Sequence, residues 1–242
     1  MTQTAPQDAP LVFPVGQFFG TFHTNLETVE RRHNIRLGGE IRELDDQHFS
    51  VWAVLHGVPD QLERRPWSSQ TVVEALLDIQ RDAVAQVTAA VEAADVQPSV
   101  VEAAATATMD AADAARIITE LIADGLAAEF VPEGAAALEF ARTHRIGARM
   151  LGLGNTAEEP WHYSIGFFDQ PIITVTRMVY NLWEWAATAD TLWSACDSLA
   201  EQEREAGGDE PDLTDPVRLL GGFLRTIHHL LSVSVVYLEP RR

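Results

Sequence analysis

The densest group of cations in the chain is Arg142, His144, Arg145 and Arg149, set just before the stretch LGLGN at 151–155. Arginine offers a planar fork of donors matched to carboxylate or phosphate, so the cluster suits an acidic ligand or partner segment. It equally suits a counter-charge to the chain's own acidic helices. A second pair, Arg218 and Arg225, lies on an apolar run that holds no acid between Pro216 and Leu238. Their spacing puts both on one stripe of a helix, open to phosphate or to solvent. Trp183 and Trp185 stand two apart on an expected helix and cannot both point inward, so one of them marks an exposed patch or interface. These eight residues are the candidate binding residues.

Residues for catalysis or metal binding are sparse. The eight histidines form no H-x-x-x-H or H-E-x-x-H pair, and the single cysteine, Cys196, cannot build a cysteine-rich zinc site. Cys196 follows Trp193 and Ser194 on an apolar helix and reads as core. Gly152, Gly154 and Asn155 do not make a dinucleotide loop, and no nucleophile elbow, P-loop or kinase signature is present. No catalytic residue, metal or cofactor is expected.

Bulk properties narrow the partners. The chain has 242 residues, 36 acidic against 17 basic, for a net charge of −19. All the basic residues are arginine. Such a field repels phosphate backbones and anionic lipid unless a local patch overrides it, so nucleic acid is not the default partner. The apolar fraction of 46% supports a folded core. One cysteine fits a reducing compartment. The first ten residues lack the pattern of a signal peptide, and no run approaches the roughly 18 apolar residues that span a bilayer. The expected location is the cytoplasm, with no membrane partner.

The elements that must position the candidates follow from caps and periodicity. Residues 1–10 read as a disordered tail, 11–24 as an irregular or extended lead-in, and 36–44 as a strand. Asp45 and Asp46 offer caps for the helix HFSVWAVLH, closed by Gly57. Ser68 and Ser69 open a long helix over 69–94. Its stripe of Val73, Leu77, Val84, Val87 and Val91, interrupted by Gln80, resembles a coiled-coil seam and suggests a homodimer through helix 69–94. A short helix is expected at 99–107, and another from Asp110 to a stop at Gly125. LAAEFV, the turn Pro132-Glu133-Gly134 and AAALEFA then read as a hairpin. In the second half, WHYSIGFF and IITVT read as strands. Helices follow through MVYNLWEWAA, LWSACDSLAEQEREA and, after Pro216, VRLLGGFLRTIHHLL, then the β-branched SVSVVYLEP.

Set side by side, the halves repeat the order strand, helix, helix, helix, strand. Trp52 with Trp67 in the first half corresponds to Trp183 with Trp193 in the second. The expected divisions are a tail at 1–10, a first unit at 11–141, a connector at 142–160 and a second unit at 161–242. The piece ARIITELIADGLAAEFVPEG resembles the third helix and wing of the winged-helix superfamily. With HFSVWAVLHG, the first half loosely resembles the peptide-binding winged helices of the PqqD-like type. The long helix at 69–94 departs from that pattern.

The expected fold class is therefore α+β and helix-rich, with tandem winged-helix-like units and small β-hairpins. The resemblance implies a protein or peptide partner. The candidate recognition helix carries Asp110, Asp113, Glu120 and Asp124 against Arg116, which opposes a DNA backbone. The preferred expectation is a non-enzymatic adaptor that binds a protein or peptide. The alternatives are a transcription regulator that binds DNA through Arg142–Arg149 or the last helix, and an enzyme or small-molecule binder with a pocket between the halves.

Overall fold

A computed structural model describes residues 9–23, 31–94 and 108–241. The short helix expected at 99–107 and most of the 1–10 tail lie outside them. The described residues form a mixed, helix-rich α+β chain with small antiparallel sheets, and no helix among them is long and apolar enough to cross a membrane.

The lead-in at 11–24 holds two strands, β1 (Leu11–Pro14) and β2 (Gln17–His23). The strand expected over 36–44 is a hairpin. β3 (Arg31–Leu37) turns at Gly38, whose φ of 59° suits glycine, into β4 (Glu40–Leu44). Asp45 then caps α1 (Asp46–Val54), accepting from the His48 N–H at 2.9 Å. A short α2 (Pro59–Leu62) leads to α3 (Ser69–Ala94), capped by the Ser68 hydroxyl. Asp110 caps α4 (Ala111–Ala123), and β5 (Ala127–Phe130) returns to pair antiparallel with β1.

The segment AAALEFA is not a hairpin strand but the core of helix α5 (Ala135–Thr143). A short apolar run of this kind carries no periodicity that separates helix from strand. The 142–160 stretch also differs from a connector. Beyond the end of α5 it holds β6 (His144–Ala148) and β7 (Leu151–Gly154). β8 (His162–Phe167) and β9 (Gln170–Thr176) complete a second three-stranded sheet. Then come α6 (Arg177–Ala186), α7 (Leu192–Glu205), the short α8 (Pro211–Thr214), α9 (Pro216–Ser232) and β10 (Val236–Pro240), which pairs antiparallel with β6.

The same topology thus occurs twice. A strand and a three-stranded meander precede the helices, and a last strand returns to the first. The correspondence reaches single residues. Trp52 in α1 and Trp183 in α6 hold the same helix position, each buried and each packed on the aromatic three residues before it, Phe49 and Tyr180. The last long helix of each unit ends alike. The Leu126 N–H bonds to Leu121 O at 2.8 Å and the Val235 N–H to Leu230 O at 2.9 Å, across a left-handed Gly125 or Ser234. The expected match of Trp67 to Trp193 does not hold. Trp67 precedes the Ser68 cap and is buried, whereas Trp193 lies inside α7.

The β1–β5 ribbon joins the units. Strand side chains alternate in direction, so Val12 enters the first unit's core with Trp52, Val72 and Ile117, while Leu11 and Phe13 enter the second unit's core with Leu224 and Ile227. With both faces covered, β1 reads as a continuous apolar run, and no alternation marks it as a strand. His228 of α9 fastens the ribbon: its Nε2 lies 2.8 Å from Val12 O and its ring stacks on Phe13 at 5.0 Å.

α3 buries Thr71, Val72, Ala75 and Leu76, one step round from the expected stripe, leaving Val73 and Leu77 half-buried. Gln80 interrupts the stripe for a structural reason: its Oε1 accepts from the Met109 N–H at 3.1 Å, just ahead of α4.

Candidate functional site

The structure disperses the Arg142–Arg149 cluster. Arg142, at the end of α5, lies 5.6 Å from the Trp193 ring, a cation–π contact. His144 stacks on Phe140 at 4.0 Å, and burial lowers its pKa. Arg145 donates to Glu239 at 2.9 Å across the β6–β10 pair. Glu239 is only 2% exposed and also faces Arg36 of the first unit at 3.8 Å, so this carboxylate is an electrostatic joint between the units. Arg149 stands apart: it is exposed, no carboxylate among the described residues pairs with it, and its charge acts on His56.

Arg218 and Arg225 do share a site. On one face of α9 they flank a groove of about 530 Å³, lined by the second unit and by Glu133. Its floor is Met178, Val179, Leu182, Leu219 and Phe223. Gly222 leaves it open, since a Cβ there would meet nothing within 4 Å. Each arginine is paired at the rim, Arg218 with Asp212 at 3.1 Å and Arg225 with Glu133. Neutralised cations of this kind have little left for a phosphate backbone.

Thr176, the last residue of β9, also lines the groove and caps α6. Among the described residues β9 pairs only with β8, which leaves its other edge without a strand partner. Over its seven residues β9 carries no charge. The corresponding strand of the first unit, β4, holds Glu40, Arg42 and Glu43, the kind of charge that blunts an edge.

The sheet around β9 is apolar on its outside. Ile165 opposite Ile173 and Tyr163 opposite Val175 face α6, with Tyr163 packed 5.1 Å from Tyr180. Leu151, Phe167 and Ile172 are exposed, as are Trp161 at 80% and Phe168 at 70%. Phe168 has a φ of 55° in the turn where the first unit has Gly38. A bulky side chain in the left-handed region is a strained choice, and such outliers gather at functional sites.

The two tryptophans divide as their spacing requires. Trp183 is buried and Trp185 is half exposed, beside Thr188, Ala189 and Ser194 and away from the groove. Cys196 is buried, and its thiol is pushed up to about 12, first by burial and then by the Asp197 charge. A histidine bridge also occurs in the first unit. His48 bridges Asp45 at 2.8 Å and Glu120 at 3.1 Å, tying α1 to α4. Partial burial works to lower the His48 pKa, but bonds to both carboxylates outweigh it and raise it above its ordinary value. Among the described residues no group of three or more His, Cys, Asp or Glu side chains is arranged to hold a metal ion.

Sequence reasoning missed the β9 edge, although one signal was available: between Trp161 and Thr176 the only charged residue is Asp169. The chain matches no family model, no curated protein and no solved structure.

Proposed function

We propose that this chain is a non-enzymatic binding protein whose second unit takes an extended segment of a partner protein along β9 and into the groove beside α9. The observation that carries this reading is the uncharged edge of β9, unpaired among the described residues, running into an apolar groove at Thr176. Strand addition supplies affinity through main-chain hydrogen bonds, and pockets for alternate side chains supply selectivity. Phe223, Leu219 and Met178 would receive an apolar side chain, and the paired arginines at the rim would exchange partners with a charged one. The net charge of −19 favours a neutral or basic segment. The peptide-binding winged helices that the first half resembles agree with a peptide partner.

The test is selection of a displayed random-peptide library on the purified chain, followed by titration of the selected peptides. Binding is expected to slow amide exchange along β9 and to fall at least about tenfold in Ile172→Lys, which places a gatekeeping charge on the edge. Recovery of no peptide, or peptides that bind Ile172→Lys as tightly as the parent, would refute the reading.

A further inference from the structure

A second cleft, of about 290 Å³, opens between the two units, away from β9. Phe18, Trp52 and His56 of the first unit face Arg149, Ser234 and Tyr237 of the second across it. Its size lies at the lower end of the range for ligand pockets, enough for one or two fused rings with a short substituent.

Its walls are held in place. The Trp52 indole N–H donates to Val15 O at 3.2 Å. His56 stands edge-on to Trp52 at 4.4 Å, with its Nδ1 3.1 Å from Trp52 O. A carbonyl only accepts, so Nδ1 carries the proton and Nε2 is left as an acceptor. Burial pushes His56 down to about 4, so the ring is neutral at ordinary pH. Tyr237 is fixed by the Arg36 guanidinium, which donates to its hydroxyl at 3.1 Å. Ser234 keeps a hydroxyl in the wall despite a φ of 58°.

The cation on the cleft wall is Arg149, an exposed side chain. In a chain with 36 acids and 17 arginines, Arg31, Arg36, Arg145, Arg177, Arg218 and Arg225 each sit on a carboxylate. Among the described residues Arg149, like Arg64 and Arg142, has no carboxylate partner, and it is the one of these on the cleft wall, its backbone anchored by its N–H to Val235 O at 3.0 Å. An unpaired guanidinium beside an aromatic wall and a bare imidazole acceptor is complementary to an anion that carries its own ring and donor.

We infer that this cleft binds a small planar aromatic carboxylate bearing a ring N–H or O–H. Arg149 grips the carboxylate in bidentate fashion, the ring lies against Phe18, which the buried Trp52 backs through Phe49, and His56 Nε2 accepts the ring donor. The site does not depend on the peptide reading of β9.

Amide NMR of the full chain, titrated with indole-3-acetate and 4-hydroxybenzoate, tests it, with benzamide as the uncharged control. The acids should produce saturable shifts at Gly57, Arg149 and Ser234, and benzamide should not. Arg149→Gln should weaken the acids about tenfold or more. Ala53→Trp, at an exposed position on the cleft wall, should block them while leaving the rest of the spectrum unchanged. The inference is overturned if neither acid shifts these amides, if benzamide binds as well, or if Arg149→Gln binds like the parent.

Discussion

His228 is 3% exposed, hydrogen-bonded through Nε2 to Val12 O and stacked on Phe13. Burial, acting against that hydrogen bond, lowers its pKa from 6.5 to about 4. Above pH 6.5 neither the folded nor the unfolded chain protonates this group, and its full contribution to stability is present. As the pH falls from 6.5 towards 4, the unfolded chain binds a proton that the folded chain refuses. Stability is then lost at up to about 1.4 kcal/mol per pH unit, about 3 kcal/mol over the window. Below about 4 both states are protonated and the loss levels off. This is a large share of the roughly 5–15 kcal/mol that holds a typical domain folded. His228→Gln separates this effect from the carboxylates and from His48. Glutamine keeps a donor for Val12 O and does not titrate. Urea denaturation followed by tryptophan fluorescence, from pH 7.5 to 4.5, should show the variant about 1 kcal/mol less stable at neutral pH, through the lost ring stacking. Its acid slope should be shallower by about one proton. His56, also lowered to about 4, keeps some acid slope in both proteins. His48, whose pKa is raised, contributes in the opposite sense, with stability present at low pH and lost as the pH rises through its folded value. His48 cancels in the comparison, whereas His56, whose charge also opposes that of His228, loses that opposition in the variant and makes its slope shallower still. Equal slopes in parent and variant would show that the buried ring is not held neutral, and the reasoning would fail.

Three further outcomes follow from the packing. Glu239→Gln removes the charge that faces Arg145 and Arg36 and should cost about 2–4 kcal/mol, with little relief from salt, measured by chemical denaturation at two ionic strengths. Phe168→Gly relieves the left-handed strain at an exposed turn, and thermal unfolding should show a gain of about 1 kcal/mol; a loss would mean that the exposed ring packs productively in the free chain. If α3 pairs two chains, as its valine stripe predicts, sedimentation will show a dimer that Val84→Glu dissociates. A strict monomer removes that assembly.

Legibility followed locality. Asp45, Ser68 and Asp110 each cap a helix through a bond to a backbone N–H three residues on, so the starts of α1, α3 and α4 could be read from neighbouring residues. Gly125 marked the end of α4 for the same reason, and the β-branched IITVT run gave β9. β1 was hidden because both of its faces are covered, one by each unit. β6 was hidden because its arginine looks solvated until Glu239, 94 residues away, is brought against it.

The candidate residues divide in the same way. Residue spacing alone required that Trp183 and Trp185 part company, and that Arg218 and Arg225 share a stripe. Only the tertiary structure decided that Trp183 is the buried one and that the arginines flank a groove. It also decided which cations are already neutralised and, among the described residues, that Arg149 has no carboxylate and that the edge of β9 is without a strand partner, while the cleft between the units is lined from both. Caps and helical phase depend on residues a few positions apart and are written locally. Charge pairing, strand partnership and the faces left uncovered depend on which remote segments meet, and those are settled only when the two cores close around the β1–β5 ribbon.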